Sequence, residues 1–120
     1  MAYGRAARFE PLREVAFGAI TANYTAVGTL TTDFTRLFTI SNATDVDVYI
    51  SFDGVTNHLR VVTGTAKVYD ITSNKVRDDG LFIPKGTVFS IKRVAGAPSS
   101  GQVSIEVMYA GSLVPGAGGV

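Results

Sequence analysis

Catalytic chemistry needs partnered groups, and this 120-residue sequence offers few of them: His58 is its only histidine and it contains no cysteine. A histidine general base requires an orienting partner and a nucleophile or substrate proton within reach, and His58, just after Asp53-Gly54, has no such constellation in the sequence around it. It reads as a turn or sheet-surface residue. Without cysteine there is no disulfide framework, thiolate metal site or Cys nucleophile, and the redox compartment stays open. Asp45, Asp47 and Asp53 bracket one apolar run and are the oxygen donors a hard cation such as calcium prefers, but they lack the alternating ligands and closing bidentate Glu of an EF-hand loop. Asp45 and Asp47 share one face of a strand and read as solvent-facing alternates. Asp78-Asp79 beside Arg77 reads as a solvated turn more readily than as a carboxylate pair for acid–base work. The sequence therefore predicts no enzyme, no cofactor and no metal.

Charge is nearly balanced, eleven Lys and Arg against ten Asp and Glu for a formal +1. That lacks the basic excess of a nucleic-acid binder. The balance is uneven, however: residues 1–13 hold Arg5, Arg8 and Arg13 against Glu10. Arginine suits bidentate phosphate contacts, and it equally suits an acidic patch on a partner protein. With no periodicity and with Pro11 interrupting any helix, residues 1–13 are expected as an N-terminal arm outside the core. At the other end, residues 111–120 are uncharged and Gly-rich yet carry Leu113, Val114 and Val120. A tail meant only for solvation usually carries charge, so this flexible segment is expected to lie against a neighbouring subunit. Arg5, Arg8, Arg13, Leu113, Val114 and Val120 are thus the candidate partner-binding residues.

No apolar run approaches the eighteen or so residues of a membrane helix, and no apolar stretch follows the first arginines as a secretory signal would require. The expectation is a soluble protein used as synthesised. The Asn23-Tyr24-Thr25 and Asn42-Ala43-Thr44 triplets match the N-glycosylation pattern, which matters only on a secretory route.

The elements that must position these residues are β-strands. Runs at about 34–41, 46–52, 58–62, 66–71, 81–83, 87–94 and 102–109 alternate β-branched or aromatic residues with polar ones, and Gly, Asn, Asp or Pro clusters punctuate them. Val15–Ile20 and Tyr24–Val27 read as a weaker first pair. Asp53-Gly54 supplies positive-φ residues for a tight hairpin, Pro84-Lys85-Gly86 fits a turn, and Asp78-Asp79-Gly80 and residues 96–101 read as loops. The fold class is all-β: a single antiparallel β-sandwich, jelly-roll or Ig-like, over residues 14–110, between the arm and the Gly-rich C-terminal tail. Period-two phase places Phe38, Ile40, Val48, Ile50, Phe89, Ile91, Val103, Ile105 and Val107 in its core.

Phe34, Phe38, Tyr49, Phe52, Tyr69, Phe82, Phe89 and Tyr109 fall within these strands. Aromatic platforms on a sandwich can stack sugars or bases, but most of these residues follow the buried phase and there is no tryptophan. Core packing is the better reading.

The stretch Asn42-Ala43-Thr44-Asp45-Val46-Asp47-Val48-Tyr49-Ile50-Ser51-Phe52-Asp53-Gly54-Val55-Thr56-Asn57-His58, then Val68-Tyr69-Asp70-Ile71-Thr72-Ser73-Asn74 and Gly101 through Tyr109, resembles small β-sandwich structural proteins of tailed-bacteriophage virions. Ala16-Phe17-Gly18-Ala19-Ile20, with Tyr24 and Gly28, fits the same pattern, so the resemblance spans most of residues 14–110. It implies a head-decoration, neck, collar or tail-adaptor subunit made in the bacterial host cytoplasm, forming a symmetric homo-oligomer in contact with portal, capsid or tail proteins. It implies no catalytic residues. The alternative class is a ligand-binding sandwich, most readily for carbohydrate.

Overall fold

A computed structural model describes residues 6–71 and 83–111. Nine strands occur in it: β1 (Ala6–Phe9), β2 (Arg13–Ala16), β3 (Thr25–Ala26), β4 (Thr35–Asn42), β5 (Val48–Ser51), β6 (Leu59–Val61), β7 (Ala66–Asp70), β8 (Ser90–Arg93) and β9 (Gln102–Gly111). They form two antiparallel sheets, and no α-helix occurs among the described residues. The first sheet runs β1-β9-β4-β7, with β2 beside β1 along the same edge of β9; the second runs β3-β8-β5-β6. Of the connections that are fully described, β1–β2 and β5–β6 stay within a sheet, and those from β2 to β3, β3 to β4, β4 to β5, β6 to β7 and β8 to β9 cross from one sheet to the other.

The two sheets pack face to face because alternate residues of each are apolar. All nine residues assigned to the core by their phase are buried, joined by Val15, Ile20, Val27 and Val61. Phe38 stacks on Tyr69 with centroids 4.9 Å apart and meets Phe89 at 5.4 Å, so the aromatic residues close one end of this core. Phe52 is edge-on to both Phe38 and Phe89.

Residues 6–13, expected as an arm outside the core, run along β9 instead. Phe9 pairs with Met108 and Arg13 with Ile105, so the edge takes four residue steps where β9 takes three. The extra residue forms a bulge at residues 10–12, and Pro11, which has no N–H to offer a ladder, sits where none is required. Glu10 still donates its N–H to the Val107 carbonyl at 3.0 Å. A proline that breaks a helix is compatible with a bulged edge strand.

The weak first strand pair is also split. Its two members do not pair with each other: β2 joins β9 in the first sheet, and β3 joins β8 in the second. Phe34, expected within a strand, is about half exposed. Between Thr35↔Tyr109 and Leu37↔Met108, β4 spends two residues against one of β9. This bulge reverses the inward phase, so Thr35 is buried and Phe34 lies outside. Asp53-Gly54 belongs to a seven-residue connection from β5 to β6, longer than the tight hairpin its dipeptide predicts. Of the expected strand 81–83, Ile83 bridges Thr35, while residues 81 and 82, Phe82 included, lie outside the described residues.

Candidate binding surfaces

The residues that chemistry would have used are spent on the fold. His58 Nδ1 accepts the Phe52 N–H at 3.0 Å, its own N–H donates to the Ile50 carbonyl, and its ring packs on Phe52. It holds the β5–β6 connection together. Asp53 Oδ1 accepts the N–H groups of Thr56 at 2.7 Å and Val55 at 2.8 Å and the Ser51 hydroxyl at 2.8 Å. Those donors hold its carboxyl well below the usual carboxylate range. Asp45 accepts from the Ser99 hydroxyl and the Ser99 N–H, which lower its pKa in that order. Asp47 accepts from Arg60 at 2.8 Å and from the Thr63 N–H at 3.0 Å, and it too is lowered. The three aspartates therefore fix three different loops. Among the described residues no group of three or more His, Cys, Asp and Glu comes together.

Asn42 ends β4 and starts the crossing to β5. Its Nδ2 donates to the carbonyls of Val46 at 2.9 Å and Val61 at 3.0 Å, while Oδ1 accepts from the Thr44 N–H and hydroxyl. A buried side-chain amide with all these partners is a structural tie between sheets. The Asn42-Ala43-Thr44 triplet is thereby explained by packing.

Arg13 and Glu10 form a second buried knot, 2.7 Å apart with both side chains almost fully covered. Glu10 Oε2 accepts the N–H groups of Thr32 and Asp33 at 3.1 and 3.2 Å. Arg13 donates to the carbonyls of Thr29, Leu30 and Pro11. Gly28, at φ +72°, makes room: a β-carbon there would lie 2.8 Å from Arg13 Cγ. Arg13 is thus committed inside the subunit, contrary to its expected role toward a partner, because the bulge turns it onto the inward phase. Arg8 lies half-buried on β1 with its stem over Gly111, where an added β-carbon would sit 2.6 Å from Arg8 Cδ. Arg5, Leu113, Val114 and Val120 lie outside the described residues.

The same bulge presents apolar side chains that the sequence reading passed over. Phe9 is 68% exposed and Leu12 55%. Phe9, Met108 and Leu37 stand opposite one another on three adjacent strands and form a row on the outward face of the first sheet. Phe9, Glu10, Leu12, Glu106 and Val107 line a groove of about 280 Å³ along its edge. Pro11 and the bulge break the period-two alternation of residues 6–13, which hides the edge strand in the sequence. The usable signal was Phe9 and Leu12 flanking Glu10-Pro11, apolar residues spaced as a bulged edge would place them.

A shallower groove of about 540 Å³ lies between two turns, lined by Phe52, Asp53, Gly54 and residues 84–88, with Ser90. Comparison with known protein families, with curated proteins and with solved structures found no match. No helix among the described residues is long and apolar enough to cross a membrane.

Proposed function

We propose that this chain is a structural subunit of a tailed-bacteriophage virion, made in the host cytoplasm and assembling as a symmetric oligomer on the head, neck or tail against portal, capsid or tail proteins. The observation that carries the assembly role is the exposed pair Phe9 and Leu12 beside half-buried Met108 and Leu37, with Phe9, Met108 and Leu37 in one row on the outward face of the first sheet. Exposed apolar side chains grouped on a β-sheet face favour a macromolecular contact. The commitment of His58, Asp45, Asp47 and Asp53 to loops supports a role without catalysis. The virion setting rests on the resemblance of residues 42–58, 68–74 and 101–109. The reading requires no cofactor and no specific nucleic acid.

The test is the mass of the purified protein in solution together with its presence in purified particles. Oligomers that copurify with portal, capsid or tail proteins support the reading, and a monomer absent from particles overturns it. A carbohydrate-binding module is the second reading, favoured by the groove beside Phe52. Retention on a glycan array by a monomeric protein would select it.

A further inference from the structure

The outward faces of the two sheets differ in charge: the first presents Glu14 and Glu106, while the second presents Lys92 and an Arg60–Asp47 ion pair, with Asp53 near Tyr24, whose pKa is raised by burial and then by that carboxylate. On the first sheet, residues that share the outward phase include Glu14 and Glu106, and no Lys or Arg occupies that phase among the described residues. Glu106 accepts from the Thr39 hydroxyl, and Glu14 from Gln102 and Ser104, all neutral donors that leave the charge in place. On the second sheet, Tyr49 stands opposite Lys92 on one side and Arg60 on the other. Tyr24 precedes Thr25, the partner of Ile91, and so extends the same row beyond Lys92. Lys92 Nζ lies 4.8 Å from the Tyr24 ring centre and 5.9 Å from that of Tyr49. The row reads aromatic, cation, aromatic, cation. Arg60 is paired with Asp47 at its flank, whereas Lys92 makes no ion pair among the described residues.

We infer that the outward face of the first sheet in one copy docks on the outward face of the second sheet in the next, with Glu106 opposed to Lys92. This inference rests on the assembly reading above and specifies its contact. Charge decides the pairing. First face on first face would bring two acidic faces together and second on second two Lys92 side chains, whereas first on second sets Glu106 against Lys92, a cation without an ion pair among the described residues. Phe9, Met108 and Leu37 then meet Tyr24 and Tyr49, the aromatic and apolar composition of an interface centre. Such a contact joins two different patches, so it must close into a ring or continue as a filament.

The experiment measures mass by light scattering over a concentration series for the full chain, Glu106→Lys, Lys92→Glu, an equimolar mixture of the two, and the double variant, with far-UV circular dichroism confirming each fold. Each single variant should associate at least tenfold more weakly. The double variant should recover, because every contact again opposes unlike charges, and the mixture should recover wherever the two variants can alternate, in a filament or an even-membered ring. If Glu106→Lys and Lys92→Glu associate as the unchanged chain does, or if the double variant fails to recover, this contact is wrong while the assembly reading stands. If the unchanged chain is monomeric throughout, the contact is wrong, and the virion reading then falls only if the protein is also missing from particles.

Discussion

Gly101 packs its backbone against the carbonyl of Ala43: a β-carbon at Gly101 would lie 2.7 Å from that carbonyl carbon, nearer still to its oxygen, and 2.9 Å from Thr44 Cα. The two segments are tied by the Ala43 N–H, which donates to the Gln102 carbonyl at 2.9 Å. The start of β9 is thereby docked on the crossing from the first sheet to the second. Gly101 also has φ +88°, where a side chain is strained whatever the space.

Gly101→Ala should therefore destabilise the fold by about 2–6 kcal/mol, combining backbone strain with overpacking against main chain that cannot move aside. Thermal or urea unfolding measures it. Gly54→Ala is the comparison, since its φ is also positive but nothing lies within 4 Å of the added carbon, and it should cost less.

Asn42→Ala should cost about 2–5 kcal/mol, because it takes the side-chain donor from the Val61 carbonyl and the acceptor from the Thr44 N–H in a buried site, although the Thr44 hydroxyl can still donate to the Val46 carbonyl at 3.0 Å. Asn42→Asp puts an acceptor toward two carbonyls. Its loss of stability should shrink as pH is lowered and the carboxyl protonates, which unfolding curves at pH 4 and pH 7 would register.

Arg13→Ala should cost about 3–5 kcal/mol, since Glu10 would remain buried without its counter-charge. Arg60→Ala, which breaks the exposed pair with Asp47, should leave the melting curve near that of the unchanged protein. Arg13→Lys should not restore stability fully, because one ammonium cannot reach Glu10 and the Thr29 and Leu30 carbonyls in the same geometry.

Asp53, Asp45 and Asp47 set a pH dependence of defined sign. Each has a folded pKa below that of the unfolded chain, through the N–H groups of Thr56 and Val55 for Asp53, the Ser99 hydroxyl for Asp45 and Arg60 for Asp47. A lowered carboxyl contributes stability that is present above its unfolded pKa, about 3.9, and is lost as pH falls toward the folded value. Stability should decline below about pH 4, and Asp53→Ala should flatten that decline. Urea melts between pH 2 and 5 are the measurement; an unchanged slope in Asp53→Ala would contradict the assignment.

The sandwich was legible because most of its strands alternate cleanly. Phe38, Ile40, Val48, Ile50 and the β9 residues declare their inward phase without help from elsewhere in the chain. What stayed hidden depends on bulges, where period two fails. The bulge near Arg36 moved Phe34 outward, and the one at residues 10–12 turned an expected arm into β1 and β2 with Arg13 buried. Long-range polar ties were hidden for another reason. Nothing local in Asn42 announces that it meets Val61, nor in Glu10 that it meets Thr32. Of the candidate partner residues, Arg8 and Arg13 prove to lie against the subunit's own chain, while Phe9 and Leu12, passed over in a segment read as irregular, are the exposed ones.

The central claim is that the outward face around Phe9 and Leu12 is where this protein assembles. Its most direct test is light scattering on the full chain and on the Phe9→Ser/Leu12→Ser double variant, with melting followed in parallel. The full chain should be an oligomer and the double variant a smaller species of nearly unchanged melting temperature, since both side chains are largely in solvent within the subunit. An oligomer of the same mass in both, or a monomer in both, would contradict it.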